Sequence, residues 1–326
     1  MIDKPFPPFV PHPLLGNPHA QTLVAAYLGG KIYPYRARRR LVELPDGDRL
    51  VVHDDCPPAW RPGDRTALLL HGLAGDHASP YMRRIAAKLT ARGVRAFRLD
   101  LRACGAGLRL ARRPYHSGRS DDAAAALVAV ARWCPGSPTT LVGFSLGGNL
   151  TLKLLGELGE RPCGQLDGAV AICPPIDLAA CSHEIGKRQN RLYDRHFVQL
   201  LWSQLQRWQR LVPGAARADA LRRPRTLWEL DNVFTAPVCG FGTADNYYRQ
   251  SSSASLVASI RRPTLIVAAA DDPLIPASIF RQLRWPACVE LRIADRGGHL
   301  GFIGRRNGDP DRRWMDWRVV EWIASR

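Results

Sequence analysis

A serine, an aspartate pair and a histidine stand far apart in this chain, each in a setting that chemistry could use. Ser145 lies in Gly143-Phe144-Ser145-Leu146-Gly147, where a short apolar run ends and a helix-like stretch begins. Asp271 and Asp272 end another apolar run, and Pro273 and Pro276 stiffen the turn beyond it. His299 sits among Gly297, Gly298 and Gly301. A serine hydroxyl is a poor nucleophile until an imidazole takes its proton. A carboxylate beside the imidazole then fixes its orientation and steadies the imidazolium. The chemistry these types point to is attack on a carbonyl carbon, with an acyl group held briefly on serine.

The spacing of the glycines says how Ser145 would be presented. In a G-x-S-x-G turn between strand and helix, a bulky residue at either glycine would strike the adjoining element, and the strained turn pushes the hydroxyl above the sheet edge. The Leu146 N–H, at the mouth of the new helix, would face any charge that develops on the substrate oxygen. A second amide for that oxygen is expected from Leu73, in His71-Gly72-Leu73-Ala74-Gly75, where a glycine after an apolar strand lets the backbone turn tightly. His71 itself reads as a structural loop histidine, and His19 as a packed or exposed residue near a helix start.

The elements that must position these residues emerge from periodicity. Residues 38–44 and 49–54 flank Pro45-Asp46-Gly47-Asp48 and read as a hairpin. The run at 66–70 is continuously apolar, as strands buried on both faces are, and further strands are read at 94–99, 139–144, 168–173, 263–270 and 289–293. Helical spacing appears at 81–91, 121–133, after Ser145, and at 313–325. Strand alternating with helix argues a mostly parallel α/β sheet with helices on both faces. Ligands in such sheets bind beyond the carboxyl ends of the strands. The loops at His71, Arg102, Ser145, Pro174, Asp271 and His299 all fall on that edge.

One domain over 1–326 is expected, because no linker or low-complexity tract divides the chain. Residues 1–35 are proline-rich and form an N-terminal extension. Residues 176–250 break the strand–helix rhythm. There Phe197, Leu200, Leu201, Trp202, Leu205 and Trp208 recur at helical spacing, and this segment is expected to form a helical cap over the site. Eight cysteines without C-x-x-C pairs, and a proline-broken start at 1–13, suggest reduced thiols and a cytoplasmic setting. No run approaches the apolar length of a membrane span. The net charge of +17 comes mainly from scattered arginine clusters, so no nucleic-acid partner is expected. Peripheral contact with an anionic membrane surface stays open as a partner class.

Serine, then acid, then histidine is the chain order in which an elbow-type hydrolase supplies its catalytic groups. Seven stretches together carry a closer likeness. They are Asn17-Pro18-His19-x-Gln21-Thr22, His71-Gly72-Leu73-x-Gly75, Tyr115-His116-Ser117-Gly118, Gly143-Phe144-Ser145-Leu146-Gly147-Gly148-Asn149, Asp231-x-x-Phe234-Thr235-Ala236-Pro237, Asp271-Asp272-Pro273 and Gly297-Gly298-His299-x-Gly301-Phe302. On these the chain resembles the YheT-like branch of the α/β-hydrolase superfamily, related to ABHD-type lipases and yeast medium-chain ester synthases. The resemblance implies the α/β-hydrolase fold, Ser145 as nucleophile, His299 as base and an acid in the aspartate pair. The position of Asp272 ahead of Pro276 matches other elbow hydrolases, so Asp272 is the expected acid and Asp271 the reserve. It also implies a small acyl ester of short to medium chain as substrate, cleaved with no metal and no cofactor. An acyltransferase with the same three residues, or a catalytically idle binding module, are the alternatives. The chain departs from the family pattern after residues 94–99, where Arg102-Ala103-Cys104-Gly105 replaces an expected Arg-Gly pair.

Overall fold

The computed structural model describes residues 7–28, 33–216, 222–306 and 308–326, so the expectations for 1–35 and 176–250 fall partly outside the described residues. Eight strands form one sheet: β1 (Arg38–Glu43), β2 (Arg49–Asp55), β3 (Thr66–Leu70), β4 (Arg95–Asp100), β5 (Thr139–Phe144), β6 (Leu166–Ile172), β7 (Thr264–Ala269) and β8 (Val289–Ala294). Their order is β1-β2-β4-β3-β5-β6-β7-β8. The β1–β2 and β2–β4 pairs are antiparallel, and all the others are parallel. The hairpin turns at Gly47, whose φ of 81° suits glycine.

The helices that bear on the site are α1 (Pro18–Tyr27), α2 (Pro80–Thr90), α3 (Ser120–Trp133), α4 (Leu146–Leu158), α5 (Leu178–Gly186) and α6 (Arg191–Leu211). Two apolar layers sandwich the sheet, and β3 shows why its sequence is continuously apolar. Leu68 and Leu70 pack into the layer formed with α3 and α4, while Ala67 and Leu69 pack into the opposite layer with α2 and the helix Trp314–Ala324. A strand buried on both faces has no solvent side to carry polar residues.

Between β6 and β7 the chain runs through α5, α6, a π-helical turn at Asp231–Thr235 and the helix Ala244–Ser251. The apolar stripe of α6 divides. Leu205 and Trp208 are buried, Phe197 and Leu201 are half-buried against the core, and Leu200 faces solvent.

The loop after β4 explains the departure from the family pattern. Ala103 occupies φ 55°, the left-handed region that a glycine would take at no cost and that costs an alanine about 1 kcal/mol. Its neighbours hold it there. The Arg102 guanidinium donates to Asp122 at 2.7 and 2.8 Å and to Asp48 at 2.8 Å, and Gln204 of α6 donates to the Ala103 carbonyl at 2.9 Å. Asp122, in the first turn of α3, is buried as the partner of Arg102.

Candidate active site

Ser145 sits between β5 and α4 at φ 51° and ψ −120°, a backbone conformation rare for a residue with a side chain and costing on the order of 1–3 kcal/mol. Its N–H donates to the Ile172 carbonyl at 2.8 Å, which anchors the turn to β6. The flanking glycines are required by contact. A Cβ on Gly143 would lie 2.1 Å from the Gly147 carbonyl oxygen, and one on Gly147 would lie 2.5 Å from the Leu70 carbonyl oxygen. Either would force backbone apart, so β5 and α4 meet this closely only with glycine.

His299 reaches this turn from the loop after β8. Its Nε2 lies 2.9 Å from Ser145 Oγ, and its Nδ1 lies 2.8 Å from Asp272 Oδ2. The network fits the tautomer with its proton on Nδ1, leaving Nε2 to accept from the serine hydroxyl. Asp272 cannot swing, because its Oδ1 accepts from the N–H groups of Leu274 at 2.8 Å and Ile275 at 3.1 Å. Asp271 has a different partner: its Oδ1 accepts the Gly298 N–H at 2.9 Å and so ties down the loop that carries His299. Burial pushes the Asp271 carboxyl above its ordinary range, against the Gly298 N–H, which holds it down.

That loop is strained and rests on α1. Gly298 has φ 59°, Leu300 55° and Phe302 44°. A Cβ on Gly298 would stand 2.4 Å from the Pro18 carbonyl oxygen. The His299 N–H donates to Thr22 Oγ1 at 2.9 Å, and Gln21 exchanges hydrogen bonds with the backbone of Ile303 at 2.8 and 3.0 Å. Asn17 starts α1 by accepting the N–H groups of His19 and Ala20. The Asn17–Thr22 stretch thus seats the imidazole, a role that periodicity left unassigned. His19 is packed, with Nδ1 3.1 Å from Tyr193 Oη.

Leu73 and Leu146 both line the pocket into which Ser145 and His299 open. Two tyrosines clamp the backbone around Leu73: Gly72 N–H donates to Tyr81 Oη and Ala74 N–H to Tyr115 Oη, each at 2.9 Å. Burial pushes Tyr81 up to about 12, so its hydroxyl stays neutral. Among the described residues, neither the Leu73 nor the Leu146 N–H is spent on an acceptor. His71 is fully buried and spends both ring nitrogens on backbone, at Gly72 O and Leu101 N.

Five further residues take places at the site that sequence reasoning did not assign. Cys173, at φ 45°, has its Sγ among the Asp272 and His299 ligand atoms, all within 4.8 Å of one another. Burial first, and the Asp272 charge next, push this thiol well above its ordinary range, so it remains a neutral S–H. Asp231 lines the pocket and accepts from Tyr248 Oη at 2.8 Å; burial pushes it up to about 6. Tyr247 donates to Ser117 Oγ at 2.8 Å.

Two groups of side chains have metal-ligand types. The Cys173, Asp272 and His299 atoms already serve one another and Ser145. His53, His77 and Asp100 lie away from Ser145. Their imidazoles stack at 3.5 Å and 10°, so their in-plane lone pairs run parallel and do not converge on one ion. Asp100 also accepts the backbone N–H groups of His77 at 2.7 Å and Ala106 at 2.8 Å, which makes this cluster an anchor for the loops around β4.

A family model described as the alpha/beta hydrolase family matches residues 67–312, from the start of β3 past the His299 loop. The chain belongs to the alpha/beta hydrolase family. Among its relatives is a protein of Escherichia coli (strain K12) named "Putative esterase YheT", 32% identical over 323 residues, which span 97% of this chain and 93% of that protein. Within the family this hydrolase falls in the YheT-like branch. A medium-chain fatty acid ethyl ester synthase/esterase of Saccharomyces cerevisiae is 27% identical over 79% of this chain and 61% of its own length. An esterase of Pyrococcus furiosus superposes with a TM-score of 0.57 at 17% identity, covering 91% of this chain and 96% of that one, a likeness that speaks for the fold. The hydrolase has, among its described residues, no helix long and apolar enough to cross a membrane.

Proposed function

We propose that this hydrolase cleaves carboxylic esters of short to medium acyl chain through an acyl-enzyme on Ser145. The reading is supported above all by the unbroken hydrogen-bonded line from Ser145 Oγ through His299 to Asp272, at 2.9 and 2.8 Å. His299 Nε2 takes the serine proton as Oγ attacks the carbonyl carbon, and the Leu73 and Leu146 N–H groups hold the oxyanion. Nε2 then returns the proton to the departing alcohol oxygen. Water enters and gives a proton to the same nitrogen as its oxygen bonds the acyl carbon; the acyl–Oγ bond then breaks, Oγ takes that proton back, and the acid leaves. Asp272 keeps the imidazole in the required tautomer and steadies its charge throughout. The helices between β6 and β7 serve as a cap that keeps the pocket apolar.

The ester synthase/esterase name of the yeast relative favours a second outcome at the same acyl-enzyme, in which an alcohol replaces water as acceptor. A fluorophosphonate probe tests the nucleophile. It is expected to label the native protein at Ser145 and to spare Ser145→Ala, whose hydrolysis of p-nitrophenyl butyrate falls by about 10³-fold or more. Labelling that persists in Ser145→Ala would remove the serine from its role. The ratio of butyric acid to ethyl butyrate formed in the presence of ethanol separates hydrolysis from transfer.

A further inference from the structure

The cavity beside Ser145 has two lobes, and their walls differ. One contains Ser145 and His299 themselves, with Leu178, Ile185 and Leu274 around them. The other lies between the post-β4 loop and α6, walled by Ala103, Leu201, Leu205, Trp208, Leu230 and Phe234. Leu73, Leu146, Asp231 and Tyr247 line both. The lobes therefore adjoin at the two residues, Leu73 and Leu146, whose amides would hold the oxyanion.

The proton transfer fixes which part of an ester goes where. His299 Nε2 must reach the leaving oxygen, and among the two lobes His299 lines only the first. With the carbonyl oxygen at Leu73 and Leu146, the alcohol points into the His299 lobe. The remaining substituent on the carbonyl carbon leaves on the other side of the amides.

The chemistry of the second lobe matches that substituent. Most of its polar side chains already have a partner within the protein. Trp208 Nε1 donates to the Ala111 carbonyl at 2.8 Å, Gln204 donates to the Ala103 carbonyl at 2.9 Å, and Tyr115 Oη accepts from Ala74. His116 Nδ1 accepts from Gly118 N–H at 3.1 Å, and burial keeps that imidazole neutral. A guest with its own hydrogen-bonding groups would leave them unpaired there, whereas a hydrocarbon chain would not. The turn Asp231–Thr235 stands at the wall of this lobe and contributes Asp231, Phe234 and Thr235 to it, the i, i+3 and i+4 positions of one helical face.

We propose that the lobe between the post-β4 loop and α6 binds the linear acyl chain of the substrate, with Leu205, Trp208 and Phe234 setting the length it accepts. The alcohol is left to the His299 lobe. This assignment rests on the acyl-enzyme reading of Ser145, and it gives the Asp231-x-x-Phe234-Thr235 motif a purpose.

The test uses p-nitrophenyl esters from butyrate to laurate with the full-length protein. Phe234→Ala enlarges the lobe and is expected to raise the laurate-to-butyrate ratio of kcat/KM by about tenfold. Leu205→Phe fills the lobe and is expected to lower that ratio by about tenfold. Because the acyl group stays behind after the alcohol leaves, both variants also change the deacylation rate measured after the burst. Ile185→Phe, in the other lobe, is expected to alter the burst alone, with the ratio across acyl lengths held. Fluorophosphonate labelling to full stoichiometry checks that each variant is folded, and Leu201→Phe carries the same test should Leu205→Phe not fold. Native protein that fails to label would overturn the acyl-enzyme reading itself. Full labelling with a length profile untouched by Phe234→Ala and Leu205→Phe, or one moved instead by Ile185→Phe, would overturn the lobe assignment alone.

Discussion

The turn that carries Ser145 and the loop that carries His299 meet at 2.9 Å, yet they are held in different ways. The serine turn is nearly self-contained. Its strain is imposed by β5 and α4, with contacts from the ends of β3 and β6, and its glycines are dictated by backbone a few ångströms away. The histidine loop places Gly298, Leu300 and Phe302 at left-handed φ and has no helix of its own to enforce them. Its support comes from Thr22 and Gln21, 277 and 282 positions away. A nucleophile can be presented by local geometry, whereas its base is seated by a distant part of the chain.

The largest effect expected from that contrast lies in the serine turn. Gly143→Ala sets a methyl 2.1 Å from the Gly147 carbonyl, where the opposing atoms are backbone and cannot yield cheaply. Denaturant unfolding is expected to show a loss of about 3 kcal/mol or more. A loss below about 1 kcal/mol would mean that the strand–helix junction has slack.

Thr22→Val comes next. It keeps the shape of the side chain but removes the acceptor for the His299 N–H. An orphaned amide costs about 1–3 kcal/mol, so kcat is expected to fall about 10- to 100-fold as the imidazole loses its seat. Fluorophosphonate labelling should slow in parallel. An unchanged kcat would show that the loop holds itself, and the contrast between the two regions would vanish.

The smallest effect belongs to Asp271→Asn. The amide oxygen of asparagine still accepts the Gly298 N–H, so kcat/KM is expected to stay within about threefold. The pH dependence of stability distinguishes it further. The folded-state pKa of Asp271 is raised, so its contribution is fully present below the unfolded value and is lost as pH rises through the folded one. Asparagine has no such loss. The stability of Asp271→Asn relative to the native protein should therefore improve from about pH 4 to pH 7. A relative stability that declines over that range would reverse the sign.

The same contrast explains how much could be read from the sequence. The sheet, its flanking helices and the Gly143–Gly147 turn were legible because each is set by neighbours in the chain: apolar runs at 66–70 and 139–144, glycines two positions either side of Ser145. The order of Ser145, the aspartate pair and His299 was legible for the same reason. Which aspartate meets the imidazole turns on the backbone amides of Leu274 and Ile275, which residue types do not reveal. The pairing of Thr22 with His299 spans most of the chain and leaves no period to detect. The place of Asp231, Phe234 and Thr235 in the pocket wall was opaque because helical spacing says which side chains share a face, not what that face meets. Ala103 holds a glycine conformation that its type argues against, and only its neighbours account for it.

The seating of His299 on Thr22 also bears on how the protein comes into being. Translation delivers the Ser145 turn first, while the imidazole emerges 154 residues later and must then find a helix made before either. Until that late closure, a nascent molecule carries its hydroxyl without a proton acceptor. On the proposed mechanism, a ribosome stalled after α6 would release a chain unable to attack any ester.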